Sequence, residues 1–331
     1  MTDAKEAASA ERLLPPVLQD AINKFNQWSE EHLLLEQEKN TIEMPLYHYT
    51  DGRGLEGIIE SQTIWFTDYR HLNDPSELIH GIEMAHNVMC LAANGADGRV
   101  RLFLECLRDM FLSKNFSTTL EFFIASFSRE RDDLGQWRAY ADNGRGYAIG
   151  FAPRVFRIVD KLDRKPHENV FVGPVLYDTS EVINRHHLAV DEAAGIFLDT
   201  VNANADLVRD KAVGIPFMQD LARAVIASPL IWNSLTSKHP AYEHEREVRL
   251  VILGLRNKLM PYITTRLRGS EIVPYIPQPQ PLREPHMIAE IVAGPAAGAD
   301  AERTVRTMLN SFKMDPNIPI SRSDIPYRAL A

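Results

Sequence analysis

The sequence predicts an α+β protein, one domain with mixed sheets and helical insertions behind an N-terminal helix. Three observations carry this. From residue 45 short apolar strands alternate with helices, the stretch 180–235 is largely helical, and strands return from 247 onward. Hydrophobic content of 45% with 24% charged residues is that of a soluble globular chain able to bury a real core.

The elements follow in order. Residues 11–38 read as a helix, broken at its start by Pro15-Pro16, with Leu18, Ile22, Phe25 and Trp28 recurring at three- and four-residue steps. Polar residues 39–44 then lead to Pro45, so 1–44 is expected to be a helical extension and 45–331 the main domain. PLYHY (45–49) reads as a strand, 52–61 as a helix and TIWFT (63–67) as a second strand. In "LNDPSELIHGIEMAHNVM", Asp74 can cap a helix, Pro75 suits its first position and Glu77 completes a capping box. The functional alternative is that Asn73 and Asp74 border a site at the helix start. A helix is expected over roughly 99–115, strands at 121–128, 147–151 and 169–177, and a helix at 133–141. EVRLVIL (247–253), MPYITT (260–265) and EIVPYI (271–276) read as strands, and the proline-rich 274–285 as a surface loop. A strand at 288–294 and a helix from Asp300 to Phe312 close the chain.

Composition narrows the function classes. A net charge of −9 argues against a general electrostatic grip on nucleic acid, which needs a basic face. Cys90 and Cys106 both lie in helical segments and read as buried thiols in a reducing compartment, not as a disulfide. No apolar run approaches a membrane span, and the acidic N-terminal segment is unlike a signal peptide. A cytoplasmic location is expected.

Four constellations could carry chemistry. In "YEHEREVRLVI" (242–252), Glu245, Glu247 and Arg249 share one face of an extended chain, with Arg246 and Val248 on the other. Two desolvated carboxylates so placed would repel each other. Either the run is a solvated loop paired with Arg246, Arg249 or His244, or one carboxylate has a task in a cleft. At such an open strand mouth, changing either glutamate to glutamine would cost little stability. LYHYT (46–50) presents His48, Tyr49 and Thr50 at a strand end, where ligand groups are often displayed; a histidine bonded to a turn is the plainer reading. In FIASFS, Ser126 and Ser128 share the face opposite Phe127 and need partners. In "QWRAYADNGRGYAIGF", Trp137 and Tyr140 share a helix face ahead of a glycine turn. No metal-ligand spacing, phosphate-binding glycine loop or nucleophile elbow occurs.

Taken together, the words LYHYT, GLEGIIES, IWFTDYRHLNDPSE, IASFS, LGQWRAYADNGRGYAIGF, EREVRLV and IPYR resemble an uncharacterised family. It is domain-of-unknown-function family 2971 of bacteria and phages, and the likeness runs from about Leu46 to Arg328. A more distant resemblance is to the ADP-ribosyltransferases. It implies a split mixed/antiparallel β core, NAD as substrate and a macromolecular acceptor, protein or nucleic acid, as in a toxin or phage-defence effector. It further implies that His48 holds a ribose with Tyr49 and Thr50 nearby, and that Ser126-Phe127-Ser128 forms the second signature strand. Glu247 would be the carboxylate beside the ribose, Glu245 would orient the acceptor, and Trp65, Phe127 or Tyr140 would stack on nicotinamide. The second strand reads Ser-Phe-Ser, and a His start combined with an E-x-E end joins features of two subclasses, so the acceptor stays open. Two rival readings remain. One is a metal-dependent hydrolase or nuclease gathering Glu245, Glu247, Asp74 and His48 around magnesium or manganese. The other is a non-catalytic nucleotide- or partner-binding module.

Overall fold

Ten strands occur in the computed structural model, which describes residues 14–72, 76–113, 120–156 and 165–328. They are β1 (Leu46–Thr50), β2 (Thr63–Asp68), β3 (Leu120–Ser128), β4 (Tyr147–Phe151), β5 (Val170–Pro174), β6 (Glu247–Leu255), β7 (Thr264–Arg268), β8 (Glu271–Pro279), β9 (Ile288–Ala293) and β10 (Ile320–Arg322). The longer helices are α1 (Pro16–Lys39), α2 (Gly52–Ser61), α3 (Ser76–Gly95), α4 (Gly98–Leu112), α5 (Leu134–Tyr140), α6 (Thr179–Ala203), α7 (Lys211–Val225) and α8 (Ala301–Ser311). The fold is α+β with a mixed sheet and helical insertions. No helix among the described residues is long and apolar enough to cross a membrane. Asn73, Asp74 and Pro75, and the side chain of Glu77, lie outside the described residues, so the expected capping box does too.

The chain divides into two compact units, one of residues 1–34, 81–116 and 180–235, the other of 35–80, 117–179 and 236–331. The first is helical. Leu18, Ile22 and Phe25 of α1 are buried, as are Phe103, Leu107 and Phe111 of α4 and Val190, Ile196 and Phe197 of α6. The helical spacing of these residues puts each set on one stripe. Phe197 stacks between Phe103 and Phe217, at 4.7 and 5.9 Å between ring centroids. Cys90 and Cys106 are free thiols, each half-buried. His186 of α6 is fully buried, and neither ring nitrogen meets a hydrogen-bond partner. Burial, helped by the charges of Arg185 and His187, pushes its pKa down to about 3.

The second unit holds the sheet, in the order β10-β9-β4-β1-β3-β2-β8-β7, with β6 on β3 and β5 on β6. Among the ten strands described, β10 and β9 pair in parallel and the other pairings are antiparallel. β3 carries β6 along one whole edge, from Leu120↔Leu255 to Ser128↔Glu247. Its other edge is shared by two strands: β2 pairs at Phe123 and Ile124, and β1 at Ser128. Between those pairings the strands part, and the Ser126 carbonyl bonds the His48 ring instead of a strand. One sheet face carries the main core, with Phe123, Phe127, Val248, Leu250, Ile149 and Ile291 packed under α2 and α8. The other face holds a smaller cluster of Tyr47, Tyr49, Trp137, Ala148 and Val292. α5 lies there because its N-cap Asp133 accepts from the Gln136 amide and Trp137 is driven inward. The glycine turn ahead of β4 is tight for a reason: a Cβ on Gly146 would sit 2.2 Å from the Thr50 carbonyl oxygen.

Two expectations about local structure are corrected. Met260–Tyr262 form a helical turn with Pro261 near its start, so the strand begins only at Thr264. The proline-rich stretch does not leave the sheet at 274, because β8 continues to Pro279. β7 pairs with β8 over 271–275 and β2 over 275–279, so most of β8 has one unpaired edge toward which a proline nitrogen can face.

His186 generates a prediction for the helical unit. An unfolded histidine binds its proton near pH 6.5, whereas the buried one resists it down to about pH 3. Stability contributed by the neutral ring is therefore complete above 6.5 and lost as pH falls toward 3, by a total on the order of 4 kcal/mol. His186→Leu should leave stability at pH 7 equal or higher, since no bonded partner is lost. It should also flatten the dependence of the urea midpoint between pH 7 and 4; an unchanged slope would refute the assignment.

Candidate functional site

The stretch 236–249 is built by a sharp local path. A 3₁₀ turn over Pro240–Glu245 ends on Arg246, whose φ of 43° is left-handed, and β6 starts at the next residue. That conformation is uncommon outside glycine. It turns the Arg246 side chain outward to Glu130 at 2.8 Å. Glu245 thus lies outside the strand, not in its register.

Both glutamates are buried, Glu245 at 8% and Glu247 at 7% exposure, which removes the solvated-loop reading. The repulsion between them is answered by two cations. Arg249 grips Glu247 with two bonds, Nε to Oε1 at 2.8 Å and Nη2 to Oε2 at 2.9 Å. Lys238 reaches Glu245 Oε2 at 2.5 Å and Glu247 Oε2 at 3.4 Å. Its ammonium also lies 4.7 Å over the Tyr242 ring. Burial alone would raise the Glu247 pKa. The charge and hydrogen bonds of Arg249, the charge of Lys238 and the Ser126 hydroxyl outweigh it and hold the carboxyl well below the usual carboxylate range. The Glu247 amide donates to Tyr177 Oη at 3.0 Å, and Tyr140 Oη donates to Glu245 Oε1 at 3.3 Å.

The serines divide their work. Ser128 Oγ donates to the Glu245 carbonyl at 2.7 Å and accepts from the Glu130 amide at 3.0 Å, so it is engaged in holding the turn. Ser126 stands opposite Arg249 and beside Glu247 on the same face. His48 meets Ser126 from the other direction. Its Nδ1 lies 3.1 Å from the Ser126 carbonyl and its ring is 5.7 Å from that of Phe127. A carbonyl only accepts, so Nδ1 carries the hydrogen and Nε2 is left as an acceptor. Burial lowers the His48 pKa, with the charge of Arg266 acting the same way against the bond to Ser126. Strand alternation sets His48 and Phe127 on one face and Ser126, Ser128, Glu247 and Arg249 on the other. The two groups meet at one residue, Ser126, through its carbonyl and its hydroxyl.

The remaining expected ligand contacts are occupied by the fold. Phe127 is a core residue with edge contacts to Phe151 and Phe156. Tyr49 is buried, donating to the Glu130 carbonyl at 2.8 Å and accepting from the Asp133 amide at 3.1 Å. Thr50 ends β1 opposite Tyr147, with its hydroxyl close to Gly54. Trp65 donates to Thr63 Oγ1 at 2.8 Å, and the Arg266 guanidinium lies 4.8 Å over its ring. Lys238 and Arg266 escaped the sequence reading: the first is separated from its glutamates by a turn, the second lies on a different strand pair. Among the described residues, no group of three or more His, Cys, Asp or Glu is placed to hold a metal ion.

The chain matches the family model described as "Protein of unknown function (DUF2971)" over residues 136–250. That span runs from α5 to the middle of β6, so it takes in Tyr140, Lys238, Glu245, Glu247 and Arg249 and leaves out His48 and Ser126. No curated protein and no solved structure matches the chain.

The expectation that the glutamates could be changed at little cost is corrected by their burial and pairing. Arg249→Met strands an ionised Glu247 and should cost about 3–5 kcal/mol, while Arg249→Met with Glu247→Leu should recover most of it. Urea unfolding of the two variants checks this, and equal losses would contradict it. Because the Glu247 pKa is depressed on folding, its share of stability is present above about pH 4.5 and falls away as pH drops further.

Proposed function

We propose that the protein transfers ADP-ribose from NAD to a macromolecule, with Glu247 facing the ribose and Glu245 nearer the acceptor. The observation that carries this reading is the pairing of the serine strand with the glutamate strand, which sets the Ser126 hydroxyl beside an ionised, buried Glu247. A resident negative charge stabilises the oxocarbenium-like state of nicotinamide–ribose cleavage, and in a dry setting it does so strongly. His48 lies on the sheet face opposite Glu247 and reaches the site only through the Ser126 carbonyl, so in this reading it positions Ser126 and does not meet the ribose beside Glu247. The parting of β1 and β2 along β3 is in keeping with a split core. Of the aromatic candidates for nicotinamide, Tyr140 is favoured, since it already touches Glu245 while Phe127 belongs to the core. A toxin or phage-defence role would fit a macromolecular acceptor.

One observation favours a second reading, a non-catalytic nucleotide- or partner-binding module. Arg249 and Lys238 already neutralise both carboxylates, and ion pairs of this kind serve structure as readily as chemistry.

The test is release of nicotinamide from labelled NAD by the purified protein, with and without a cell lysate as acceptor source. Turnover is expected, and Glu247→Gln, assayed at a temperature where its circular dichroism matches wild type, should fall about 100-fold or more. Glu245→Gln should impair transfer more than hydrolysis by water. NAD binding without turnover would favour the second reading, and no binding at all would overturn the first.

A further inference from the structure

Arg266 sits on β7 in an arrangement that the glutamate site does not use. Trp65 and Thr67 alternate along β2, Tyr275 pairs with Thr67 on β8, and Arg266 lies diagonally across from Tyr275 on β7. The four side chains therefore share one sheet face. The guanidinium lies 4.8 Å over the Trp65 ring and 5.7 Å over that of Tyr275, while Nη2 donates to Thr67 Oγ1 at 3.1 Å. Its Nε is shut off from solvent and meets no acceptor.

Among the described residues no carboxylate pairs with Arg266, although it is half-buried. Arg249 has Glu247, Arg70 has Asp68 and Glu121, and Arg131 has Glu290. Around Arg266 the charged neighbour that acts on it is another cation, Arg268, which is itself held by Glu271. Burial and that repulsion pull its pKa down. A half-buried guanidinium without a carboxylate is costly to keep, and two aromatic faces and one hydroxyl offset only part of the cost. Stacking fixes the plane of the group; with Nε enclosed and Nη2 already donating once to Thr67, the remaining N–H donors of the paired Nη1 and Nη2 end lie side by side in that plane, a geometry that takes an oxyanion in two bonds.

We infer that Arg266, backed by Trp65 and Tyr275 and steadied by Thr67, is a binding site for the phosphate group of a small phosphorylated ligand. The site stands whether or not Glu247 cleaves NAD.

The probe is inorganic diphosphate, titrated calorimetrically into the full chain against sodium chloride of matched ionic strength. Saturable binding is expected for the wild type, with a rise in melting temperature by mass action. Arg266→Met should lose about 10-fold or more in affinity. Without ligand it should melt at or above the wild-type temperature, because an uncompensated cation has been removed. Arg266→Lys, which keeps the charge but not the fork, should also bind more weakly and guards against a misfolded Met variant. Arg268→Met should bind as wild type. No saturable response of the wild type in the millimolar range would overturn the proposal. So would an Arg266→Met protein that binds normally and melts lower, since that is the signature of a stacking role alone.

Discussion

The start of β6 is governed by one electrostatic constraint. Glu245 and Glu247 are both buried within a turn of each other, and a fold that removes two carboxylates from water must supply compensation. It does so with Lys238 shared between them and Arg249 gripping the second. Much of the local geometry follows. The left-handed Arg246 lets the chain turn Glu245 back toward Lys238 while β6 continues outward. Ser128 and Tyr177 then hold the carbonyl of Glu245 and the amide of Glu247.

A second constraint acts at β3. One edge is paired throughout, whereas the other is divided between β2 and β1, and a backbone carbonyl between the two would go unmet without His48. A buried unmet carbonyl costs enough that a ring nitrogen in this place is a structural necessity before it is anything else. The same bond decides the tautomer and leaves Nε2 with a lone pair. Structure and possible chemistry are thus not alternatives at His48. They use different atoms of one ring.

The two charged places in the sheet unit contrast in a way that bears on function. At β6 the two carboxylates are matched by Arg249 and Lys238, so the cluster contributes rigidity and holds Glu247 ionised well below the usual carboxylate range. At β7 the guanidinium is met by two aromatic faces and the Thr67 hydroxyl. Proteins depart from local consistency chiefly where something else is served.

The short apolar runs of β1, β2, β3, β4 and β6 and the three- and four-residue steps of α1 were legible in the sequence, because local composition and periodicity follow from burial. Arg249 was one of three candidate partners for the glutamates, beside Arg246 and His244, and the structure assigns it to Glu247. Lys238 was not legible, since a 3₁₀ turn intervenes and nothing in the spacing tells which way it folds. Nor was the continuation of β8 through its prolines, which depends on where β2 and β7 stop pairing. Phe127 and Trp65 read as ligand-facing aromatics, and only the packing of other strands against them assigned one to the core and the other to Arg266. Sequence determines which side chains share a face; tertiary structure decides what that face meets, because charge compensation and burial act between segments far apart in the chain.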